Sequence, residues 1–367
     1  EAGAYFTVIA NPSLKWETQI STDIALEFGL FDCLTGTIEY FKKDSKDLLF
    51  DVSQPASVGV TSIIQNIGKV TNSGVEIELD YNAFKNKDWS VSVGANATFV
   101  KNKIKNLPAT MKENGYISGS KKWLEGKSIY EFWLRQWHGV DPQTGDGLYV
   151  ADVSKYNQGN IGTGDGNITQ SQFDEYKKTV VTIDGKELTN SYTYAKYDFS
   201  GSSIPDVFGG FNVRVSYKNF DLAAVFSYQL GGQVLDTNYA TMMSMTEFGY
   251  AQSPDLLKAW KQAGDITEVP RIDNSAAHTT NIGQSYSTRW LTSSDYLNLR
   301  SVTIGYQFPK AWLSKVMLKS ARLNLTAENL FMLKARQGLN PMANYSGVTY
   351  NEYMPSRNIT LGLNVSF

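Results

Sequence analysis

The chain has 367 residues, 42 % of them apolar and 13 % aromatic, with a formal net charge of −2, two histidines and one cysteine. That supply leaves zinc clusters, intramolecular disulfides and Ser/His or Cys/His catalysis short of material, and the charge balance gives no electrostatic footprint for nucleic acid. Mean hydropathy is −0.30, so apolar residues are dispersed: no run of about 18 could span a membrane as a helix, whereas a barrel strand needs only about 10 half-apolar residues.

In chain order, the first stretch (EAGAYFTVIANPSLKWE) carries neither an initiator Met nor a charged-then-apolar leader, so the expectation is a start inside a longer precursor. Strict alternation begins near Thr18 and becomes unmistakable around Val75, where Val75, Ile77, Leu79 and Tyr81 interleave with Glu76, Glu78, Asp80 and Asn82. From Trp89 to Phe99 the apolar set Trp89, Val91, Val93, Ala95, Ala97 and Phe99 alternates with Ser90, Ser92, Gly94, Asn96 and Thr98. Similar patterns start near Phe211, Phe220, Ser301 and Arg322, and the last segment sets Ile359, Leu361, Leu363, Val365 and Phe367 against polar neighbours. Period two places one set on each face of a strand.

A soluble antiparallel sandwich and a transmembrane barrel both alternate in this way. Three features favour the barrel. The strands run to about 10–17 residues against the usual 5–6. Aromatic residues sit at strand ends (Tyr81, Trp89, Phe99, Tyr217, Phe220, Tyr306, Phe308, Phe367), where interfacial girdles belong. Short connections at 31–33, 85–88, 141–147, 218–219 and 309–319 alternate with long ones at about 51–71, 106–128, 156–203, 234–293 and 333–355. This parity predicts an all-β, antiparallel transmembrane barrel with about eleven strands here. Since bacterial single-chain barrels carry even numbers, the expectation is half of a 22-strand barrel. One helix is predicted in the loop sequence SPDLLKAWKQAG, capped by Ser253, with Pro254 at its first position and Gly264 at its end.

Several stretches, covering nearly the whole chain, resemble the SusC/RagA family of TonB-dependent transporters of Bacteroidetes. Asn11-Pro12-Ser13-Leu14-Lys15-Trp16-Glu17 is similar to its NPxLKWE element. Glu39-Tyr40-Phe41 with Lys46-Asp47-Leu48-Leu49, and Asn66 to Glu76, resemble its next two strands. Pro205 to Leu222 resembles its GGF…YKxFDL hairpin, Tyr296 to Arg300 its DYLRLR strand, and Thr326 to Phe331 its near-terminal NLF element. Each piece is weak alone, while their order and spacing are specific. The resemblance implies a plug domain and a first half of the barrel lying outside this sequence, with 1–367 as the second half. It also implies localisation in the bacterial outer membrane as a multi-pass barrel and contact there with lipid. Import of glycans or oligopeptides would be driven through TonB, which acts on the missing N-terminal region, and a SusD-like surface lipoprotein would cover the mouth. No cofactor and no catalysis are expected. The rival readings are a passive porin and a soluble β-sandwich binding module.

Candidate residues follow. Glu76, Glu78 and Asp80 would face the lumen if Val75 and its partners face lipid, either tuning cargo choice or simply forming a wet wall. Tyr192, Tyr194, Tyr197, Tyr286, Trp290, Tyr345, Tyr350 and Tyr353, in the long loops, could stack on cargo, touch the lid protein or staple the loops internally. His138 reads as an interface residue at the turn rim. Relatives in the family often carry a calcium loop before the GGF hairpin. With Asp165 at position 5 and Gly166 at position 6, Ile161 falls at position 1 and Gln172 at position 12, so the stretch around Asp165 and Asn167 reads as a degenerate relic rather than an ion site.

Overall fold

The computed structural model describes all residues except 1–8, 55–56, 58, 61, 67, 109–110, 246–248, 250 and 284–285; the opening of the chain and Ile67 of the family-like Asn66 to Glu76 stretch lie outside the described residues. Nine long antiparallel strands form one wall: β1 (Thr18–Leu30), β2 (Leu34–Lys46), β3 (Lys69–Lys85), β4 (Trp89–Asn106), β5 (Val207–Tyr217), β6 (Phe220–Leu230), β7 (Tyr296–Gln307), β8 (Ser320–Glu328) and β9 (Asn358–Ser366). They pair in sequence order, and the short strand Met332–Lys334 adds onto β7 to make a ten-stranded sheet.

Register carries the alternation across the whole wall. One row of directly opposed residues runs Leu30, Leu34, Tyr81, Val93, Val213, Ala224, Val302, Ala327 and Ile359 across all nine strands. Another runs Trp89, Tyr217, Phe220, Tyr306, Leu323 and Leu363. Opposed residues share a face, so the apolar sets of successive strands merge into one band. A bulge at Asn82/Phe84 brings Phe84 opposite Val91, which keeps an aromatic residue on that face. Gly36 serves the same band: a Cβ there would lie 2.6–2.7 Å from the Phe28 ring and Leu79.

Among the described residues nothing covers this band. Ile24, Leu26, Ile359, Leu361 and Leu363 are 62–69 % exposed, which in water would be an aggregation surface and in a membrane is the lipid face. A sandwich would lay a second sheet over it. Along the short-turn rim Trp89–Tyr217, Phe220–Tyr306 and Tyr306–Phe308 pack at ring separations of 4.3, 4.5 and 5.2 Å as a continuous aromatic girdle. Among the described residues no helix is long and apolar enough to cross a membrane. The fold is a transmembrane β-barrel wall.

The other face is polar. Asp221 and Arg322 form a two-point ion pair across β7 at 2.6 and 2.7 Å, and they meet because Gly305 stands between them with no side chain. Glu76, Glu78 and Asp80 lie on this face, opposite Glu39, Thr37 and Thr35 of β2.

The buried core of the protein is outside the wall, in a cap built from the excursions 107–206, 231–295 and 329–357. One cluster takes Phe132 and Leu134 from the first, Leu235, Met243, Leu256 and Trp290 from the second and Val348 from the third. A second cluster seats the cap on the wall through Val70, Ile104 and Leu107.

The cap corrects two expectations. The hairpin around 141–147 does not belong to the wall. β4 pairs directly with β5 from Thr98↔Phe208 to Trp89↔Tyr217, and strands Trp137–Val140 and Gly147–Val150 pair within a separate four-stranded sheet of the cap. The alternation of 131–135 is also a cap feature, with Phe132 and Leu134 fully buried. His138 therefore stands exposed on the cap, away from the turn rim, and about eleven strands become nine wall strands plus one short addition. The predicted helix is a single 3-10 turn, Pro254–Lys258, capped by Ser253 as expected. It stops because Ala259 turns extended and delivers Trp260 to the cap, where its indole donates to Pro142 O at 2.9 Å and its ring occupies the space beside Gly145.

The two faces can be told apart chemically. Single cysteines at Ile77, Val93 and Leu361 in the full-length protein in bilayers should resist a water-soluble maleimide, while those at Glu78, Asn96 and Asn364 react. Leu361→Arg should destabilise the folded barrel by about 2–4 kcal/mol if it sits at the bilayer midplane, measured by denaturant unfolding, with Asn364→Arg close to neutral. The reverse labelling pattern would contradict the lipid assignment.

Candidate functional site

Strand Glu131–Arg135 pairs with strand Tyr197–Ser202 in the cap. Alternation sends Phe132 and Leu134 into the core and leaves Trp133 and Arg135 on the opposite face. Trp133 lies 6.2 Å from Tyr197 and 4.9 Å from Phe199, ring centre to ring centre. Cations stand over these rings: Lys122 is 4.1 Å from Trp133, Lys127 is 4.7 Å from Phe199, and Arg135 is 4.7 Å from Tyr197 and 5.0 Å from Tyr192. Arg135 Nε also donates to Tyr192 O at 3.1 Å, which ties the 192–194 turn to the strand. The result is a half-buried shelf of rings, Tyr197 nearly parallel to Trp133 and Phe199 edge-on to it, clamped by cation–π contacts.

Tyr192 also borders a cleft of about 600 Å³ between the 190–192 turn and the helix Ala276–Ile282. Arg271 crosses its floor, paired with Asp146 at 3.2 Å and Asp273 at 3.1 Å. His278 Nε2 meets Arg271 O at 2.8 Å. Asn281 is buried, donates to Gly147 O at 3.1 Å and has its side-chain oxygen unpartnered. Shelf and cleft together offer flat rings, fixed charges and hydrogen-bonding groups, which is equipment for holding a polar chain.

The structure sorts the sequence-predicted aromatic residues into four groups. Tyr192 and Tyr197 belong to the shelf. Tyr194 packs against Tyr156 and Tyr176 at 4.9 and 5.7 Å and is an internal staple. Trp290, 2 % exposed, is a core residue and so is corrected as a contact residue: its indole is enclosed by the cluster that joins the three excursions. Tyr286, Tyr345, Tyr350 and Tyr353 are 40, 50, 69 and 94 % exposed, with Tyr345 edge-on to Tyr130 at 5.2 Å. Sequence reading missed Trp133, Phe199, Lys122, Lys127 and Arg135. The available signal was that both faces of 131–135 are bulky, as a strand covered on two sides requires.

Glu76, Glu78 and Asp80 lie on β3 of the wall and are not part of the shelf. Glu39 faces Glu76 directly, so the acidic patch is larger than the three residues read from the sequence. Around Asp165 the chain makes a tight turn. Gly166 has φ +83°, and Ile168 bridges Ile161. The position-12 residue Gln172 instead closes a capping box, its side chain accepting from Thr169 N at 2.8 Å. Among the described residues no three His, Cys, Asp or Glu side chains converge as a metal set.

The family model described as "TonB dependent receptor-like, beta-barrel" matches residues 1–330. The TonB-dependent receptor P3 of Formosa agariphila is 29 % identical over 384 residues, which covers all of this chain and 36 % of that protein. The TonB-dependent receptor SusC of Bacteroides thetaiotaomicron is 24 % identical over 372 residues, covering 97 % of this chain and 32 % of its own. The chain thus spans about a third of the length of these relatives. Among solved structures, that of the RagAB peptide transporter superposes with a TM-score of 0.78 at 24 % identity over all of this chain and 37 % of that one. The "closed-closed" state of the RagAB peptide importer gives 0.77 at 25 % identity, covering 98 % of this chain and 36 % of that one.

Beside the shelf, Lys121 is buried with its ammonium 3.2 Å from the centre of the Phe132 ring and donating to Tyr130 O at 2.8 Å. Burial pushes its pKa down to about 7 from 10.5, with nearby Glu131 opposing the shift. The unfolded chain therefore binds more protons between pH 7 and 10.5, so the stability of the cap should rise with pH across that window. Lys121→Met should flatten the slope, as measured by denaturant unfolding of the cap at pH 7 and 9.5; an unchanged slope would show that Lys121 is not the titrating group.

Proposed function

Because the chain belongs to the TonB-dependent receptor β-barrel family, of the SusC/RagA type, we propose that it supplies part of the wall and much of the outer cap of an outer-membrane transporter. That transporter imports glycans or oligopeptides under TonB control. The observation that supports this most is the wall itself: a two-faced sheet with a lipid band outside, a polar face inside and an ordered cap at the long-loop rim. TonB action, the plug and the rest of the barrel belong to sequence beyond this chain. Among the described residues β1 and β9 end the sheet on either side with unpaired edges, and in hydrocarbon such edges have to be closed by further strands. In this reading Glu39, Glu76, Glu78 and Asp80 line the lumen.

The cap suits cargo handling. Aromatic faces stack on sugar rings and on peptide side chains alike, and the adjoining cleft adds hydrogen bonds for a polar chain. The solved RagAB relative is a peptide transporter, which supports oligopeptides as one of the two cargo classes. A SusD-like lipoprotein is the proposed partner. Its contact surface is formed by residues that the excursions leave standing in solvent: Leu257, Ile266, Ile272, Tyr350 and Tyr353 are 65–97 % exposed, an unusual outlay of apolar area at loop tips.

Two measurements test this reading. Uptake of the cargo that co-purifies with the full-length transporter should stop in a strain lacking TonB; uptake that continues at the same rate would favour the passive porin. Replacing Leu257, Tyr350 and Tyr353 together by Ala should weaken capture of the lipoprotein about tenfold or more, since apolar anchors carry most interface energy, while the barrel still assembles. An undiminished lipoprotein band would place the lid contacts elsewhere.

A further inference from the structure

The outward face changes character at its loop end. Its last apolar row is Ile24, Tyr40, Val75 and Phe99. One residue pair further along, the row becomes Thr22, Lys42, Ser73 and Lys101, and then Ile20, Asp44, Thr71 and Lys103. Lys101, Lys103 and Lys105 are all exposed. Asp44 is already engaged, at 2.9 Å from Lys69 and 3.7 Å from Lys42, with a hydrogen bond from Thr71. Along β4, the ten residue steps from Trp89 to Phe99 at about 3.3 Å each, tilted by about 40°, rise ~25 Å, the height of an apolar barrel band. Phe99 thus marks the upper interface, and Lys101 and Lys103 stand in the headgroup layer, with the exposed Lys105 in the bulge just beyond them.

Beside these lysines the wall is incomplete. The β4–β5 ladder ends at Thr98↔Phe208, and β4 resumes backbone bonding on that edge only at Ile104, with Gly126 and Lys127. The gap opens into a groove of about 710 Å³ lined by Tyr40, Val75, Phe99 and Ile204, with Lys101 and Lys103 at its head. Asp206, on the rim, has its carboxylate over Gly231. An apolar slot at the membrane surface with ammonium groups above it matches an acyl chain below a phosphate.

We propose that this groove seats one phosphorylated, acylated glycolipid of the outer leaflet, its phosphate on Lys101, Lys103 and Lys105 and an acyl chain along Phe99 and Ile204. The assignment rests on the proposed function, which makes the loop rim extracellular.

The test uses the full-length transporter complex purified into nanodiscs and measures retained lipid by native mass spectrometry, with phosphorylated lipid A, dephosphorylated lipid A and phosphatidylethanolamine as probes. Wild type should keep one phosphorylated lipid A. Retention should fall about tenfold on removing the phosphates and in the Lys101→Gln/Lys103→Gln/Lys105→Gln variant. It should persist in the corresponding triple Arg variant, and heat-modifiable gel mobility should confirm that each variant is folded. Ile204→Trp should fill the slot and reduce retention with the lysines intact. Equal retention of the phosphorylated and dephosphorylated lipids, or undiminished retention in the Gln variant, would overturn the seat. Separately, Lys105→Cys should react with an impermeant maleimide on intact cells. Labelling only after the outer membrane is opened would overturn the orientation, and the seat with it; external labelling with unchanged lipid retention would overturn the seat alone.

Discussion

Every backbone N–H and C=O that enters hydrocarbon has to be paired inside the protein, because no water is there to pair it. For a chain without a long apolar helix, the remaining solution is an antiparallel ladder that closes on itself, and the rest of this architecture follows from that requirement. The strands are long because they cross a membrane, and the connections are short on one rim, where adjacent strands need only turn. The wall can be nearly free of a packed core because lipid takes the place of one.

This inverts the usual distribution of stability. In a soluble domain the sheet carries the hydrophobic core and the loops hang from it. Here the sheet faces lipid on one side and a polar interior on the other, and the close-packed apolar clusters belong to the loops. The three excursions share Trp290, Leu235, Phe132 and Val348, so the cap is one folded body and not a set of independent loops. Packing of this kind holds the Trp133 and Tyr197 shelf rigid. It also leaves Tyr350 and Tyr353 at its edge, facing solvent, where a partner protein could reach them.

Where the cap meets the wall, β4 outruns β5, and its upper end is paired with the cap through Ile104. The exchange of one partner for another cannot be seamless, since a strand edge that leaves the sheet and a loop that arrives from above follow different paths. The groove beside Phe99 is the space between them. The family resemblance describes the wall and its long loops, whereas this groove depends on where two particular ladders stop.

Much of the wall was legible in the sequence because alternation needs only local geometry. Successive side chains of any strand point to opposite faces, so Val75 to Tyr81 and Trp89 to Phe99 declare an apolar and a polar side before any partner is known. The turns at 31–33 and 218–219 and the Ser253 cap are local in the same way. Partner choice is not local. The parity of short and long connections puts 141–147 on the turn rim of the wall, but parity cannot say whether the flanking strands are covered by lipid or by a protein core. Only the tertiary structure decided that β4 pairs with β5 and that Phe132 and Leu134 enter a cap. The same holds for Trp290, buried by residues from three distant segments, and for Trp133, Arg135 and Tyr197, which no spacing connects. The sequence by itself determined the two-faced strand and hence the membrane wall. Which segments form the wall, and what the others build above it, depended on contacts between residues a hundred or more apart, and these are settled by competition for strand edges and apolar cover across the whole chain.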